Sequence, residues 1–257
     1  MNTWHAWWAA LPAMAGLGLL AWLIASARRN VGLVDVFWSL FFLAGSTVYA
    51  WAAPDHGART LLVLALVLVW SLRLAIHLAL RNWSAPEDHR YQQIRARNAP
   101  GFAWKSLYLV FGLQVLLAWI ISAPLLGALR GSGTLGALDV LGGLLAGFGI
   151  SYEALADFQL TRFRSLAGNA GQVMDQGLWR YSRHPNYFGE CCVWWGFYLL
   201  AAAAGAWWSL YSPLLMTALL LKVSGVALLE QDIAGRRPAY REYIARTNAF
   251  IPGARHP

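Results

Sequence analysis

The sequence predicts an all-α polytopic membrane protein of about seven transmembrane helices, followed by an amphipathic cytosolic helix near the C-terminus. Three observations carry this. Hydrophobic residues make up 58% of the chain and charged residues 12%, against roughly 25% charged in an ordinary soluble domain. The mean hydropathy is +0.45. The apolar residues also cluster in runs of the roughly 17 to 25 that a spanning helix needs, and a helix satisfies its own backbone in lipid.

The predicted spans lie at residues 11–27, 33–52, 61–80, 107–129, 135–158, 187–207 and 209–229. The first is preceded by Trp4, Trp7 and Trp8 rather than a basic stretch, so it reads as a retained helix and not a cleaved signal. The turns after spans one, three and five and the C-terminal tail hold nearly all the basic residues, from Arg28 and Arg29 to Arg255. The opposite turns hold Arg59 and Arg130. This asymmetry places the N-terminus outside and the C-terminus in the cytoplasm. The net charge of +8 thus follows from topology and attraction to anionic headgroups, and nucleic acid is excluded as a partner. Cys191 and Cys192 are adjacent and point to different helix faces; with no CxxC or HExxH pattern, neither a metal nor a disulfide is expected.

Polar residues within apolar runs are expensive and mark candidate sites. Asp35, in NVGLVDVFW with Trp38 nearly one turn later, is either a carboxylate at a helix N-terminus or a substrate-facing acid able to donate a proton. Arg73 and His77 share a face of span three, and at that depth Arg73 needs an acid, a phosphate or water. Lys222, deep in the last span, has a stem long enough to reach the interface. The densest cluster is GLWRYSRHPNYFGE, where Arg180, Arg183 and His184 supply donors and Asn186 and Glu190 share one helical face. On the preceding span Glu153 and Asp157 also share a face, with Arg162 and Arg164 beyond them. These acids either pair with the arginines or accept from ribose hydroxyls while arginine forks take phosphate. EDHRYQQIRAR reads as an interfacial element or a lid. In the tail, Pro238 opens a helix that puts Tyr240, Tyr243 and Ile244 on one face and Arg241, Glu242 and Arg246 on the other.

GLWRYSRHPNYFGE, the following VWWGFYL, the tail AYREY…FIP, NVGLVDVFW and EDHRYQ together resemble the DUF1295 family of membrane proteins over nearly the whole chain. From about Gly149 onward the chain is also similar to the steroid 5-alpha-reductases, the sterol reductases and the isoprenylcysteine carboxyl methyltransferases. The resemblance implies a bacterial inner-membrane protein of one domain, with substrate-chamber helices over 1–130 and cofactor-binding helices over 131–257. It further implies NADPH as the cofactor. Asn186, Tyr187 and Glu190 match the reductases, and Asn186 and Glu190 are then expected at the nicotinamide amide. Asp157 is expected near adenosine and ribose, with Arg162, Arg164, Arg180 and Arg183 at phosphates and His184, Tyr240 and Tyr243 completing the pocket. Asp35 stands near the place of the reductases' carbonyl-polarising glutamate, with Trp38, Arg73 and His77 lining the substrate chamber. Trp70 occupies the place of their tyrosine. The expected activity is hydride transfer to a double bond of a steroid-like or other apolar lipid. The alternatives are an S-adenosylmethionine-dependent methyltransferase and a lipid-binding protein without catalysis.

Overall fold

Asn2 caps a 25-residue helix by accepting from the His5 backbone N–H at 2.8 Å, a side-chain oxygen filling a bond that the first turn lacks. In this computed structural model, described over residues 2–223 and 239–255, the described residues form helices and turns without strands. The elements are α1 (Thr3–Ala27), α2 (Val34–Trp51, after a 3-10 turn at Val31–Leu33), α3 (Ala58–Asn82), α4 (His89–Arg97), α5 (Phe102–Ser106), α6 (Leu113–Ile121), α7 (Ala123–Arg130), α8 (Ala137–Ser165), α9 (Pro185–Ala203), α10 (Tyr211–Ala218) and α11 (Ala239–Arg246). A π-helical stretch, Leu107–Gly112, joins α5 to α6. Another, Leu219–Val223, follows α10.

Among the described residues five stretches are long and apolar enough to cross a membrane: Thr3–Ala27, Val31–Trp51, Ala58–Asn82, Phe102–Ile121 and Ala137–Ser165. These fit an integral membrane protein. The first begins earlier than hydropathy predicts because the tryptophan-rich lead is itself helical. The fourth predicted span, 107–129, is not one helix. It turns at Ser122, and Pro124, lacking an amide hydrogen, sits in the first turn of α7. The sixth predicted span ends at Ala203, before a turn in which Gly205 has φ 80. The last runs into residues 224–238, outside the described residues. Pro238 also lies there.

The chain divides into two units, Met1–Asp139 with Leu200–Ser209, and Val140–Leu199 with Leu210–Pro257. In unit one α2 packs between α1 and α3, with Phe41, Phe42, Tyr49 and Trp70 fully buried. Missing side chains let these helices approach: a Cβ on Gly45 would lie 2.7 Å from the Met14 methyl. Buried hydroxyls join helices where no water can. Ser39 donates to the Ser71 carbonyl at 2.9 Å, and the Tyr49 and Ser122 hydroxyls meet at 2.7 Å. The two arginines of the basic-poor turns are structural. Arg59 grips Asp139 through two bonds of 2.6 and 2.9 Å and also reaches the Ser132 and Thr134 carbonyls, while Arg130 donates to the Ala52 carbonyl. A charge pair this buried is tolerable because its hydrogen-bonding groups are satisfied.

In unit two, α8 and α9 meet backbone to backbone. A Cβ on Gly149 would stand 2.6 Å from the Gly189 carbonyl oxygen, one on Gly189 would stand 2.8 Å from the Glu153 Cβ and amide nitrogen, and one on Gly196 would stand 2.6 Å from the Ala146 nitrogen. Small residues at a helix crossing bring neighbouring side chains unusually close. At Gly189 that neighbour is an acid, Glu153.

Candidate functional site

Glu153, Asp157 and Glu190 are 4%, 6% and 5% exposed, carboxylates buried around the glycine crossing of α8 and α9 in unit two. Asn186, on the first turn of α9, donates its amide to Asp157 Oδ1 at 3.3 Å. This joins the RHPNY motif to the acid of the preceding helix and leaves the Asn186 carbonyl oxygen as an acceptor of fixed orientation. Glu190 Oε1 accepts from the Trp194 indole at 3.0 Å, one turn on. The cluster is therefore rich in acceptors, and its groups are held by defined neighbours.

The segment before α9 is fastened to the tail. Ser182 donates to the Phe250 carbonyl at 2.8 Å and the Arg183 amide to the Asn248 carbonyl at 2.9 Å. The Arg183 guanidinium donates to the carbonyls of Ile244 at 3.0 Å and Thr247. The Tyr243 hydroxyl lies against the carbonyls of Trp179 and, at 3.2 Å, Ser182. Burial and then the nearby Tyr240 push the Tyr243 phenol well above its usual range. In this arrangement Arg183 and Tyr243 hold the framework. His184 is buried, stacked on Tyr187 with centroids 5.6 Å apart. Tyr240 packs edge-on against Tyr243. Arg162, Arg164 and Arg180 occupy exposed positions.

Unit one holds a second polar nest. Asp35, in the first turn of α2, accepts from the Tyr91 hydroxyl at 2.6 Å through Oδ1 and faces Arg90 at 3.4 Å through Oδ2. The phenol has one proton, and it goes to the carboxylate. Hence the Gln114 amide 3.4 Å away must present its NH2 to the Tyr91 oxygen. The Gln114 carbonyl oxygen is then buried with no hydrogen-bond partner among the described residues. Tyr91 is pushed well above its ordinary pKa, first by burial and then by Asp35. For Arg90 burial opposes the charge, but Asp35 and Asp88 outweigh it and raise the pKa further.

Four further bonds close this clasp. Glu87 takes Arg95 through bonds of 2.8 and 2.7 Å and the Val31 amide at 2.8 Å, and Asn30 reaches the Ala85 carbonyl at 3.2 Å. NVGLVDVFW and EDHRYQQIRAR, widely separated in sequence, thus form one structure. Trp38 meets Phe42 edge-on at 5.2 Å and Phe42 meets Trp70 at 5.7 Å, an aromatic wall along α2 and α3. Arg73 and His77 are half-buried on α3. Sequence reasoning named Asp35 but missed its partner Tyr91 and the Gln114 amide beside that phenol, and it missed Trp194, although its spacing from Glu190 is one helical turn.

Comparison with known proteins gives two matches. The family model DUF1295, described as a protein of unknown function, matches residues 21–247. An uncharacterised protein of Schizosaccharomyces pombe is 24% identical over 266 residues, covering 92% of this chain and 76% of that protein. No solved structure matches.

Proposed function

This chain belongs to the DUF1295 family, and from that premise we propose that it is a membrane reductase that uses NADPH to saturate a double bond in an apolar lipid. The observation that carries the reading is the meeting of Glu153, Asp157, Glu190 and Asn186 at the α8–α9 crossing. Glu153, Asp157 and Glu190 bring acceptor oxygens to this crossing, and such a group of side chains suits a ligand rich in donors. Ribose hydroxyls and a carboxamide NH2 are such donors.

The residues fit one end of the cofactor better than the other. Asn186, oriented by Asp157, and Glu190 offer the donor and acceptor edges that a carboxamide answers. The phosphates fall to the exposed Arg162, Arg164 and Arg180, since Arg183 is turned to the tail carbonyls. When bound, NADPH supplies the hydride and is left oxidised, while a proton completes the reduced bond.

The chain's own tasks are to orient and to hold a proton. The resemblance puts Trp70 at the place of the reductases' tyrosine, and in this reading Tyr91, which donates to Asp35, supplies the phenol instead. Burial and Asp35 keep its phenol protonated, so Asp35 orients the group that hydrogen-bonds a substrate carbonyl. The Trp38, Phe42 and Trp70 wall supplies apolar surface for the lipid. The same reading takes α9 and the α10 region as spans six and seven, puts the N-terminus outside, and sets α11 on the cytosolic face.

The test is the identity of the nucleotide that copurifies. Mass spectrometry of ligand released from the detergent-purified chain is expected to find NADP(H). S-adenosylmethionine or its demethylated product would replace reduction by methyl transfer, and lipid alone would leave a binding protein.

A further inference from the structure

We propose a phosphate-binding recess in unit one, where α1 and α3 end, that is independent of the reductase reading. The recess has a volume of about 290 Å³ and is lined by Arg28, Arg29, Asn30, Trp83, Ala85 and Glu87 among others. Both helices are candidate spans, ending at Ala27 and Asn82, so the recess lies at the level where a bilayer presents its headgroups. Trp83, 46% exposed, is the amphipathic ring such a level favours.

The charge in this recess is cationic and uncompensated. Arg28 donates to the Trp83 carbonyl at 2.9 Å and lies 4.4 Å over the Trp83 ring. That fixes the guanidinium while using one of its five N–H donors. The Arg29 guanidinium makes no hydrogen bond or ion pair among the described residues, its backbone amide alone donating, to the Ser26 carbonyl. Its backbone is left-handed, φ 53, a conformation costly for a residue with a Cβ and often found where a side chain is held for a ligand. The neighbouring polar groups cannot neutralise it. Glu87 is engaged by both arms of Arg95 and by the Val31 amide, and Asn30 bridges the Gly32 amide and the Ala85 carbonyl. Two adjacent guanidinium forks in a recess, whose one lining carboxylate among the described residues is already paired, match a phosphate mono- or diester. That group can belong to an anionic lipid headgroup or to a soluble phosphate.

The test compares the intact chain with Arg29→Gln and with Arg97→Gln, an exposed arginine of α4 that does not line the recess, in neutral detergent. Thermal melts are followed while phosphatidylglycerol, phosphatidylcholine or inorganic phosphate is added. The expected result is saturable stabilisation of the native chain by phosphatidylglycerol over phosphatidylcholine. Arg29→Gln should weaken the apparent affinity by about fivefold, and Arg97→Gln should leave it unchanged. If inorganic phosphate stabilises alone and abolishes the preference for phosphatidylglycerol, the natural ligand is a soluble phosphate. If it does neither, the ligand is the lipid headgroup. Equal losses in both variants, or none in Arg29→Gln, would overturn the recess in favour of diffuse surface charge.

Discussion

The Tyr91 hydroxyl donates to Asp35 at 2.6 Å across 56 residues of sequence, so the first turn of α2 is fastened to α4 by a buried phenol. Asp35 is therefore part of a pair, and removing either partner should be felt by the other. Tyr91→Phe keeps the ring and deletes the bond, leaving the carboxylate with Arg90 alone. The expected loss is about 1–3 kcal/mol of stability, read as a lower Tm, together with a fall in any lipid reduction. An unchanged Tm would mean that the clasp is held by Glu87 and Arg95 alone.

The same phenol gives the protein an alkaline limit. Tyr91 and Tyr243 both have folded pKa values raised above the unfolded value, which is about 10. Their stabilisation is complete below that pH and is lost as pH rises toward the folded values, because unfolding then lets the phenols ionise. Melts across the range of about pH 8 to 11 should show Tm falling above about pH 10. Tyr91→Phe should shrink that fall, and an identical slope in the variant would remove Tyr91 from the account.

Glu190→Gln keeps an acceptor for the Trp194 indole and deletes the charge. If Glu190 binds a carboxamide, NADPH should bind roughly ten- to hundredfold more weakly, the worth of about 1.5–3 kcal/mol for a bond to a charged group, while the ligand-free Tm stays put. A lowered Tm with unchanged affinity in calorimetry would instead make Glu190 a brace of α9.

Gly189→Ala tests the crossing itself. The new methyl would stand 2.8 Å from both the Glu153 Cβ and its backbone nitrogen, so α8 and α9 must separate. The expected cost is about 1–3 kcal/mol and a loss of nucleotide affinity that outweighs the stability change, since the acids move with the helices. Wild-type affinity in a folded Gly189→Ala protein would detach the acids from the ligand.

Topology can be read with single cysteines, because Cys191 and Cys192 are buried. A membrane-impermeant thiol reagent applied to intact cells should label His56→Cys and Thr134→Cys, while Gln93→Cys and Gln172→Cys should react only after permeabilisation. Labelling of Thr134→Cys from the cytosol alone would reverse the orientation or change the span count.

The spans legible in the sequence are those where a long apolar run coincides with one helix, as at Ala58–Asn82 and Ala137–Ser165. Hydropathy could not see that 107–129 bends at Ser122, because the residues on either side are equally apolar; only Pro124 signalled it. That Asn186 and Glu190 share one face of α9 was legible because a helix repeats its face every three or four residues. The partners of Asp35 were not, since no local period links residue 35 to residue 91. Arg183 looked like a phosphate ligand by residue type, yet its guanidinium goes to the carbonyls of Ile244 and Thr247. A sequence lists donors without saying which acceptors the chain itself will bring to them.

The fastening of Trp179–Arg183 to the tail also sets an order of events. Its bonds reach forward by 61 residues from Ser182 to Tyr243 and by 80 from Asp175 to Arg255. During synthesis at roughly 5–20 residues per second, the RHPNY stretch emerges seconds before the strap that fixes it. Over that interval α8 and α9 can already cross through their glycines, but Arg183 has no carbonyls of residues 244 and 247 to bind. The helix crossing thus precedes its strap, and the segment leading into α9 is fixed only when the tail arrives.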